Sequence, residues 1–202
     1  MAILEHDVRS VDKLTLTSMH RLQFTRDQYY SIGQSGVLGD ARIELIEGEI
    51  IEMAPIGPSH ATATLRLPAL LTEAFGSGYT VRPQLPISIS NADTESEPQP
   101  DVAVAVGSWR DYTLRHPGAS DVVLVVEIAD STLAYDRKIK AALYGTSGIA
   151  EYWVLNITDR QLEVYREPSD AGYAECAVLG SGETIEPLSA PGKSIGIADF
   201  LL

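Results

Sequence analysis

Residues 121–146 read DVVLVVEIADSTLAYDRKIKAALYGT, and this stretch decides the fold. Its first half is a short apolar run that ends at an acid, Glu127, which is typical of a buried strand. Its second half carries apolar residues at helical spacing and predicts a helix over about 135–146. Further strand-like segments on either side extend the pattern to an α/β protein with helices packed on a mixed β-sheet.

Two carboxylates stand out because they lie in strand-like, apolar surroundings. Glu127 follows the apolar run 122–126, where a charge is costly unless it is paired or bound to a metal. Asp101 in EPQPDVAVAV follows Pro100, which cannot donate to a sheet ladder, so the acid is expected at the start of its strand. The structural alternatives are an ion pair for Glu127 and a solvated strand end for Asp101.

Lys140 lies in the predicted helix, four residues after Asp136, with which it could form a surface ion pair. A functional alternative is that Lys140 reaches back to the end of the preceding strand from the margin of the buried helix face. That face is predicted to consist of Tyr135, Ile139, Ala142 and Leu143.

If Asp101, Glu127 and Lys140 converge, their chemistry indicates phosphodiester hydrolysis. The carboxylates would hold a hard cation such as Mg²⁺ through oxygen ligands. The ammonium group would orient the nucleophile or help to deprotonate it.

Glu44 and His60 are further candidates. RIELIEGEIIEM, residues 42–53, predicts a hairpin that turns at Glu47 and Gly48, and Glu44 in its first arm could point at the metal or lie in solvent. His60 lies near the start of a helix predicted over 59–75, where Ser59 would cap the helix and Pro68 would kink or split it. His60 could contact the scissile phosphate or act as an acid, and a cap or surface role is the alternative.

The remaining segments complete the predicted organisation. Thr25 and Gln28 form a capping-box pattern that predicts a short N-terminal helix. TVRPQLPISIS, PDVAVAV, EYWVLNI and QLEVYRE predict strands, and NADTESEPQ between the first two of these predicts an acidic loop. We expect residues 1–23 to be a lead-in and residues 24–202 to form one domain.

Composition restricts the partners. The 28 acidic and 15 basic residues give a net charge of −13, which on average repels a polyanion, although a local basic groove or a bound divalent ion would offset it. The single Cys176, the lack of a secretion signal in MAILEHDVRSVDK and the short apolar runs predict a cytoplasmic protein without a membrane span. Zinc-site spacings and a nucleophile elbow are absent from the sequence.

Four segments, taken in order, carry a family resemblance: IELIEGEIIEMAPIGPSH, EPQPDVAV, VVLVVEIADSTLAYDRKIKAALY and GIAEYWVLNITDRQLEVYRE. Over roughly residues 24–200 the chain resembles the Uma2 family of putative restriction endonucleases, a branch of the PD-(D/E)XK nuclease superfamily. The resemblance implies a restriction-endonuclease-like fold and a magnesium-dependent nuclease site.

The resemblance also implies roles for individual residues. Asp101, Glu127 and Glu44 match the family's metal-binding acids, and Lys140 matches its lysine. His60 and Tyr144 match recurrent positions with a substrate-binding or supporting role. The superfamily pattern places the lysine two residues after the second acid, where this chain has Ala129, so the lysine is expected from the helix in this branch.

We therefore expect a Mg²⁺-dependent endonuclease, with Mn²⁺ as a substitute ion, that acts on nucleic acid, with DNA as the expected polymer, and forms a homodimer. Two alternatives remain at this point. A non-catalytic binding or assembly module on the same fold is favoured by the net charge of −13, and a hydrolase of small phosphodiesters would also suit this acidity.

Overall fold

The computed structural model describes residues 21–201, so most of the predicted lead-in lies outside the described residues. The helices are α1 (Arg26–Ser35), α2 (Pro58–Phe75), α3 (Leu133–Tyr135) and α4 (Ala141–Thr146), with a π-helical turn, Asp136–Lys140, joining the last two. The strands are β1 (Ile43–Ile46), β2 (Glu49–Glu52), β3 (Tyr79–Pro83), β4 (Ile89–Ser90), β5 (Glu95–Ser96), β6 (Val102–Val106), β7 (Val122–Ala129), β8 (Glu151–Asn156), β9 (Gln161–Ser169), β10 (Gly172–Gly180), β11 (Thr184–Ile185) and β12 (Ile195–Gly196). Short 3₁₀ turns cover Trp109–Tyr112, Ala119–Asp121 and Ile197–Asp199.

The central sheet has six strands in the order β10-β9-β8-β7-β6-β3. Only β7 and β8 run parallel, because the helical segment between them carries the chain back to the end of the sheet at which β7 begins. The other neighbours are antiparallel, and a register shift between Val104 and Ala105 marks a bulge opposite β7. This arrangement confirms the predicted α/β class, with a mixed sheet and flanking helices.

Alternation along β7 gives the sheet two different faces. Leu124, Val126 and Ile128 pack in the core on the side of α2 and the C-terminal segment. Val125 and Ala129 pack in a second core with α4 and the β1–β2 hairpin. Glu127 alternates with the second set, so its carboxylate is directed to the α4 side.

Helix α2 differs from its prediction at two points. It begins at Pro58 with Gly57 as the N-cap, two residues before the predicted Ser59 cap, because proline is well suited to the first helical position. It also continues through Pro68 as one helix, so of the two predicted effects, a kink or a split, the split is wrong. Leu67 and Leu71, fully buried on the sheet, hold the helix together across the missing backbone donor.

The helix after β7 also differs from its prediction. Leu143 of the predicted apolar face is buried and Tyr135 is half-buried, but Ile139 and Ala142 are exposed, so this part of the prediction is wrong. The buried side also includes three polar residues, Asp136, Lys140 and Tyr144. The π-helical turn explains the difference, because its wider turn aligns residues that are four or five apart. Lys140 therefore lies inside the protein and not at the margin of the helix face.

The N-terminal helix and the hairpin agree with the sequence. Thr25 and Gln28 form both hydrogen bonds of the capping box at α1. Glu47 and Gly48 both have positive φ in the β1–β2 turn, as a tight hairpin requires. The predicted acidic loop instead contains β5, which pairs with β4. Among the described residues, no helix has the length and apolar character needed to cross a membrane.

Candidate active site

Sheet register brings the two central carboxylates together. Strands β6 and β7 are antiparallel with Val102 opposite Val126, so the start of β6 meets the end of β7. The Asp101 backbone N–H donates to Glu127 Oε2 at 3.4 Å, and the Ile128 N–H donates to Asp101 Oδ2 at 2.8 Å. The two acids, 26 residues apart in sequence, are thus neighbours at one end of the sheet.

Lys140 lies between two acids. Its Nζ donates to Glu127 Oε1 at 3.0 Å and to Glu44 Oε2 at 3.1 Å. All three side chains are buried, so the alternative of a surface pair with Asp136 is wrong. Asp136 is buried as well and accepts a hydrogen bond from the Thr132 hydroxyl at 2.6 Å.

The two supporting candidates each contact one of the central acids. The Tyr144 hydroxyl donates to Glu127 Oε1 at 2.8 Å. The His60 Nε2 lies 2.8 Å from Asp101 Oδ1. The structure therefore brings all the candidates from the sequence into one cluster, while their catalytic roles stay predictions.

Electrostatics favour a cation in this cluster. Burial is the largest influence on Glu127 and raises its pKa above the ordinary value, with Asp101, Asp136 and Glu44 adding to the rise and Lys140 opposing it. For Lys140, burial alone would lower the pKa, but the surrounding carboxylates outweigh it and raise the pKa above its ordinary value. Lys140 therefore keeps its proton, and the cluster still carries an excess of acids.

A pocket of about 210 Å³ opens onto the cluster. Its wall includes residues 53–57, MAPIG, between β2 and α2, and residues 130–132 after β7. The acids of the wall outnumber its Lys and Arg side chains. The acids are Glu44, Glu52, Asp101, Glu127, Asp130 and Asp136, and the cations are Arg42 and Lys140.

Three pocket residues were missed from the sequence. Gln84 donates to Asp101 Oδ1 at 3.4 Å, and Asp136 adds a buried carboxylate. The Tyr135 hydroxyl is buried without a hydrogen-bond partner in the described part of the chain, and burial together with Glu44 raises its pKa to about 12. The four-residue spacing of Asp136, Lys140 and Tyr144 is the sequence signal that could have revealed this polar face.

Asp101 and Glu127 are the residues that could hold a metal ion. Mg²⁺ usually takes one or two protein carboxylates and completes its shell with water and substrate oxygens. Among the described residues, the contact that Glu127 Oε2 makes is the long one with the Asp101 N–H, so this oxygen retains capacity to bind an ion. Within residues 21–201, no group of three or more His, Cys, Asp or Glu side chains is arranged to surround a metal. The donor chemistry therefore fits a site with two carboxylates, while Glu44 contacts Lys140 and the Gln99 N–H.

Comparison with known proteins agrees with this architecture. The chain is similar to a putative nuclease of the DUF820 family from Anabaena variabilis, with 16% identity, a TM-score of 0.60, and coverage of 80% of this chain and 90% of that one. At this identity the likeness shows a shared fold. No curated protein matches the chain. The model of the Uma2 family, described as putative restriction endonucleases, matches residues 27–198, and the chain therefore belongs to this nuclease-like family.

Proposed function

We propose that the protein is a magnesium-dependent endonuclease that hydrolyses phosphodiester bonds in nucleic acid, with DNA as the expected polymer and Mn²⁺ as a substitute ion. The observation that carries the proposal is the Lys140 ammonium, fixed between Glu44 and Glu127 beside Asp101 at the base of a pocket. A fixed cation next to two carboxylates suits phosphodiester hydrolysis, because it can offset the negative charge of a phosphate that a water molecule attacks.

Asp101 and Glu127 would hold the ion. When bound, Mg²⁺ would lower the pKa of a water molecule and neutralise charge on the phosphate. Glu44 has a different part in this proposal, because its carboxylate holds Lys140 and its second contact is the Gln99 N–H. Tyr144 positions Glu127 through its hydroxyl.

Lys140 would orient the reaction partners by its charge. Because the surrounding carboxylates keep its pKa high, it is poorly suited to accept a proton from the nucleophile. We therefore favour orientation of the water or of a phosphate oxygen over deprotonation. As the new P–O bond to water forms, the water would lose a proton to solvent through the open pocket. His60, hydrogen-bonded to Asp101 in the pocket wall, would give a proton to the leaving oxygen as the old P–O bond breaks.

A homodimer is part of the proposal. Strand β10 forms one edge of the central sheet, and most of its side chains are exposed. An exposed edge is a surface on which a second copy could pair. Sedimentation equilibrium would give twice the mass of the chain for a dimer and the mass of one chain otherwise.

Hydrolysis of small phosphodiesters is a second candidate. The size of the pocket and its surplus of acids favour a small substrate with little charge over a polymer. A non-catalytic module is the third possibility that the experiment has to separate.

The test is a cleavage assay on single-stranded, duplex, nicked and branched DNA and RNA, with Mg²⁺ or Mn²⁺, and on a chromogenic phosphodiester. We expect Asp101→Asn to lose about 100-fold or more of the activity, because a metal-binding carboxylate is neutralised. Asp93→Asn, the same change at an exposed turn, is the matched control. Cleavage of the chromogenic compound alone would support the second candidate, and no product on any substrate would support the non-catalytic module.

A further inference from the structure

We propose that residues 107–118, GSWRDYTLRHPG, bind single-stranded nucleic acid and guide it to the pocket. We call this segment the basic aromatic loop. The inference rests on the proposed function, since the bound strand would be the nuclease's substrate. It adds a second contact region, outside the pocket and at the far end of β6.

The loop displays aromatic and apolar side chains in solvent. Trp109 is 61% exposed, and the Arg110 guanidinium lies 4.4 Å from the centre of its ring. Leu114 is 98% exposed. A tryptophan covered only by an arginine offers a flat surface on which a base can stack, and such stacking does not depend on the base sequence.

The loop carries one arginine that no acid pairs with. It contains Arg110, Arg115 and one aspartate, Asp111, whose carboxylate accepts a hydrogen bond from the Ser108 N–H at 2.7 Å, and Arg115 is paired with Asp121 at 2.5 Å. Arg110 forms no ion pair with any residue in 21–201. In a chain with a net charge of −13, an exposed and unpaired arginine offers a phosphate backbone a local attraction.

A further cation lies beneath the loop. The Tyr112 ring is flanked by the guanidinium groups of Arg82 and Arg115, at 5.4 and 5.3 Å from its centre. Arg82 is only 8% exposed, its Nε lacks a hydrogen-bond partner, and no described carboxylate pairs with it. A buried cation without a carboxylate adds positive potential to the surface above it.

The loop and the pocket lie along the same face of the sheet. Arg82 is opposite Ala103, and Ala103 is opposite Val125, which alternates with Glu127 on that face. Two residues beyond Arg82, Gln84 donates to the Asp101 carboxylate. Asp101 and Gly107, the first residue of the loop, are six residues apart along β6, which corresponds to about 20 Å, a distance that a strand of several nucleotides can span.

Two features favour a single strand over other partners. The acids of the cluster are buried at the base of a pocket, where a flexible strand can insert a phosphate more easily than a rigid duplex. A lipid surface could also bind Trp109, Leu114 and the nearby arginines, but lipid binding would not require that the surface continue along β3 to Asp101. Membrane binding is therefore an outcome of the test.

The test uses the two tryptophans of the chain. Trp153 is fully buried, so a quencher that stacks at the surface affects Trp109 emission selectively. The full-length Asp101→Asn protein is titrated, without divalent ions, with an unstructured single strand of about twelve nucleotides. We expect saturable quenching that is lost in the same protein carrying Trp109→Phe, which retains Trp153.

Affinity is measured separately by anisotropy of a labelled strand. Trp109→Ala should weaken binding about tenfold or more. Arg110→Ala should make the slope of log K against the logarithm of the salt concentration less steep by about 0.7. Lys193→Ala and Val37→Ala are matched controls, since they remove an exposed cation and an exposed apolar side chain on other parts of the molecule. Both should bind like the parent protein.

The outcomes separate this inference from the proposed function. Unchanged affinity in Trp109→Ala, no binding by the parent protein, or quenching by anionic lipid vesicles but not by the oligonucleotide would overturn it. Binding that depends on Trp109 without cleavage by the wild type would support the loop and refute the nuclease. Cleavage by the wild type with unchanged binding by Trp109→Ala would support the nuclease and refute the loop.

Discussion

Lys140 is the residue on which the other charged side chains of the cluster depend. It is the cation that both Glu44 and Glu127 contact, and all three side chains are buried. Two buried carboxylates without a counter-charge are much less stable than the same acids in an ion pair. The lysine is therefore important for the folded state as well as for any reaction.

Lys140→Met should lower the free energy of unfolding by about 3–5 kcal/mol, because it removes the charge and keeps most of the side-chain volume. Urea unfolding at neutral pH measures the loss. Lys138→Met, on the exposed side of the same turn, is the control and should change stability by less than about 0.5 kcal/mol. Equal losses in the two variants would contradict the buried ion pairs.

Tyr144 and Tyr135 provide a second comparison of single residues. Tyr144→Phe removes a hydrogen bond to a carboxylate and should cost about 1.5–3 kcal/mol. Tyr135→Phe removes a buried hydroxyl that has no partner among the described residues, so stability should be unchanged or higher. Thermal and urea unfolding of both variants test this, and a larger loss for Tyr135→Phe would contradict the assignment of partners.

At the scale of elements, the π-helical turn is what directs Lys140 into the site. It places Asp136, Lys140 and Tyr144 on the buried side, although Ile139 beside them is 42% exposed. Single π-helical turns are rare in proteins and frequently lie at functional sites, so this irregularity agrees with a functional role for the cluster.

Deletion of Ile139 should remove the additional residue that makes the turn Asp136–Lys140 π-helical, and a regular α-helix should then form. The helix content by circular dichroism should persist, whereas metal-dependent cleavage should fall about 100-fold or more because Lys140 is rotated away from Glu127. Ile139→Ala keeps the chain length and should retain near-normal cleavage. A deletion variant that cleaves as well as Ile139→Ala would show that the turn is dispensable.

The elements also show what sequence reasoning could reach. Strands β6, β7, β8 and β9 were predictable because apolar runs and alternation leave few other solutions. The buried face of the helix at Lys140 was not, since the prediction assumed a regular turn. Continuity through Pro68 was missed because the contribution of tertiary packing at Leu67 and Leu71 is not visible in local propensity.

The same limit applies to the site. Asp101, Glu127 and Lys140 were predictable from their surroundings and from the family resemblance. Gln84 was not, because its contact with Asp101 depends on the register between β3 and β6, which no local pattern records. The unpartnered hydroxyl of Tyr135 likewise depends on neighbours that are distant in sequence.

At the scale of the whole molecule, the response to pH has an identifiable contributor. Glu97 is buried, accepts a hydrogen bond from the Tyr30 hydroxyl and lies 3.7 Å from His116 Nε2. Burial raises the pKa of Glu97 from 4.5 to about 7, although Arg26 opposes the shift. Between these values the folded protein holds a proton that the unfolded chain has released.

Glu97 should therefore make the free energy of unfolding fall as the pH rises from about 4.5 to about 7, with no further fall above that range. Glu97→Gln lacks this proton. Between pH 5 and pH 8, the free energy of unfolding of Glu97→Gln minus that of the wild type should increase by about 1–2 kcal/mol, after allowance for solvent screening. Urea unfolding of both proteins across this range gives the difference, and a constant difference would contradict the raised pKa.

The position of Ala129 has a wider consequence. It follows Glu127 by two residues on the same face of β7, and it is buried in the core beside α4, so the position closest to Glu127 on this face of the strand carries no charge. Here the ammonium reaches Glu127 from a helix that follows the strand. A linear motif that expects the cation close to the acid in sequence would therefore miss this pair of charges, whereas a three-dimensional template of an ammonium group beside a carboxylate would find it.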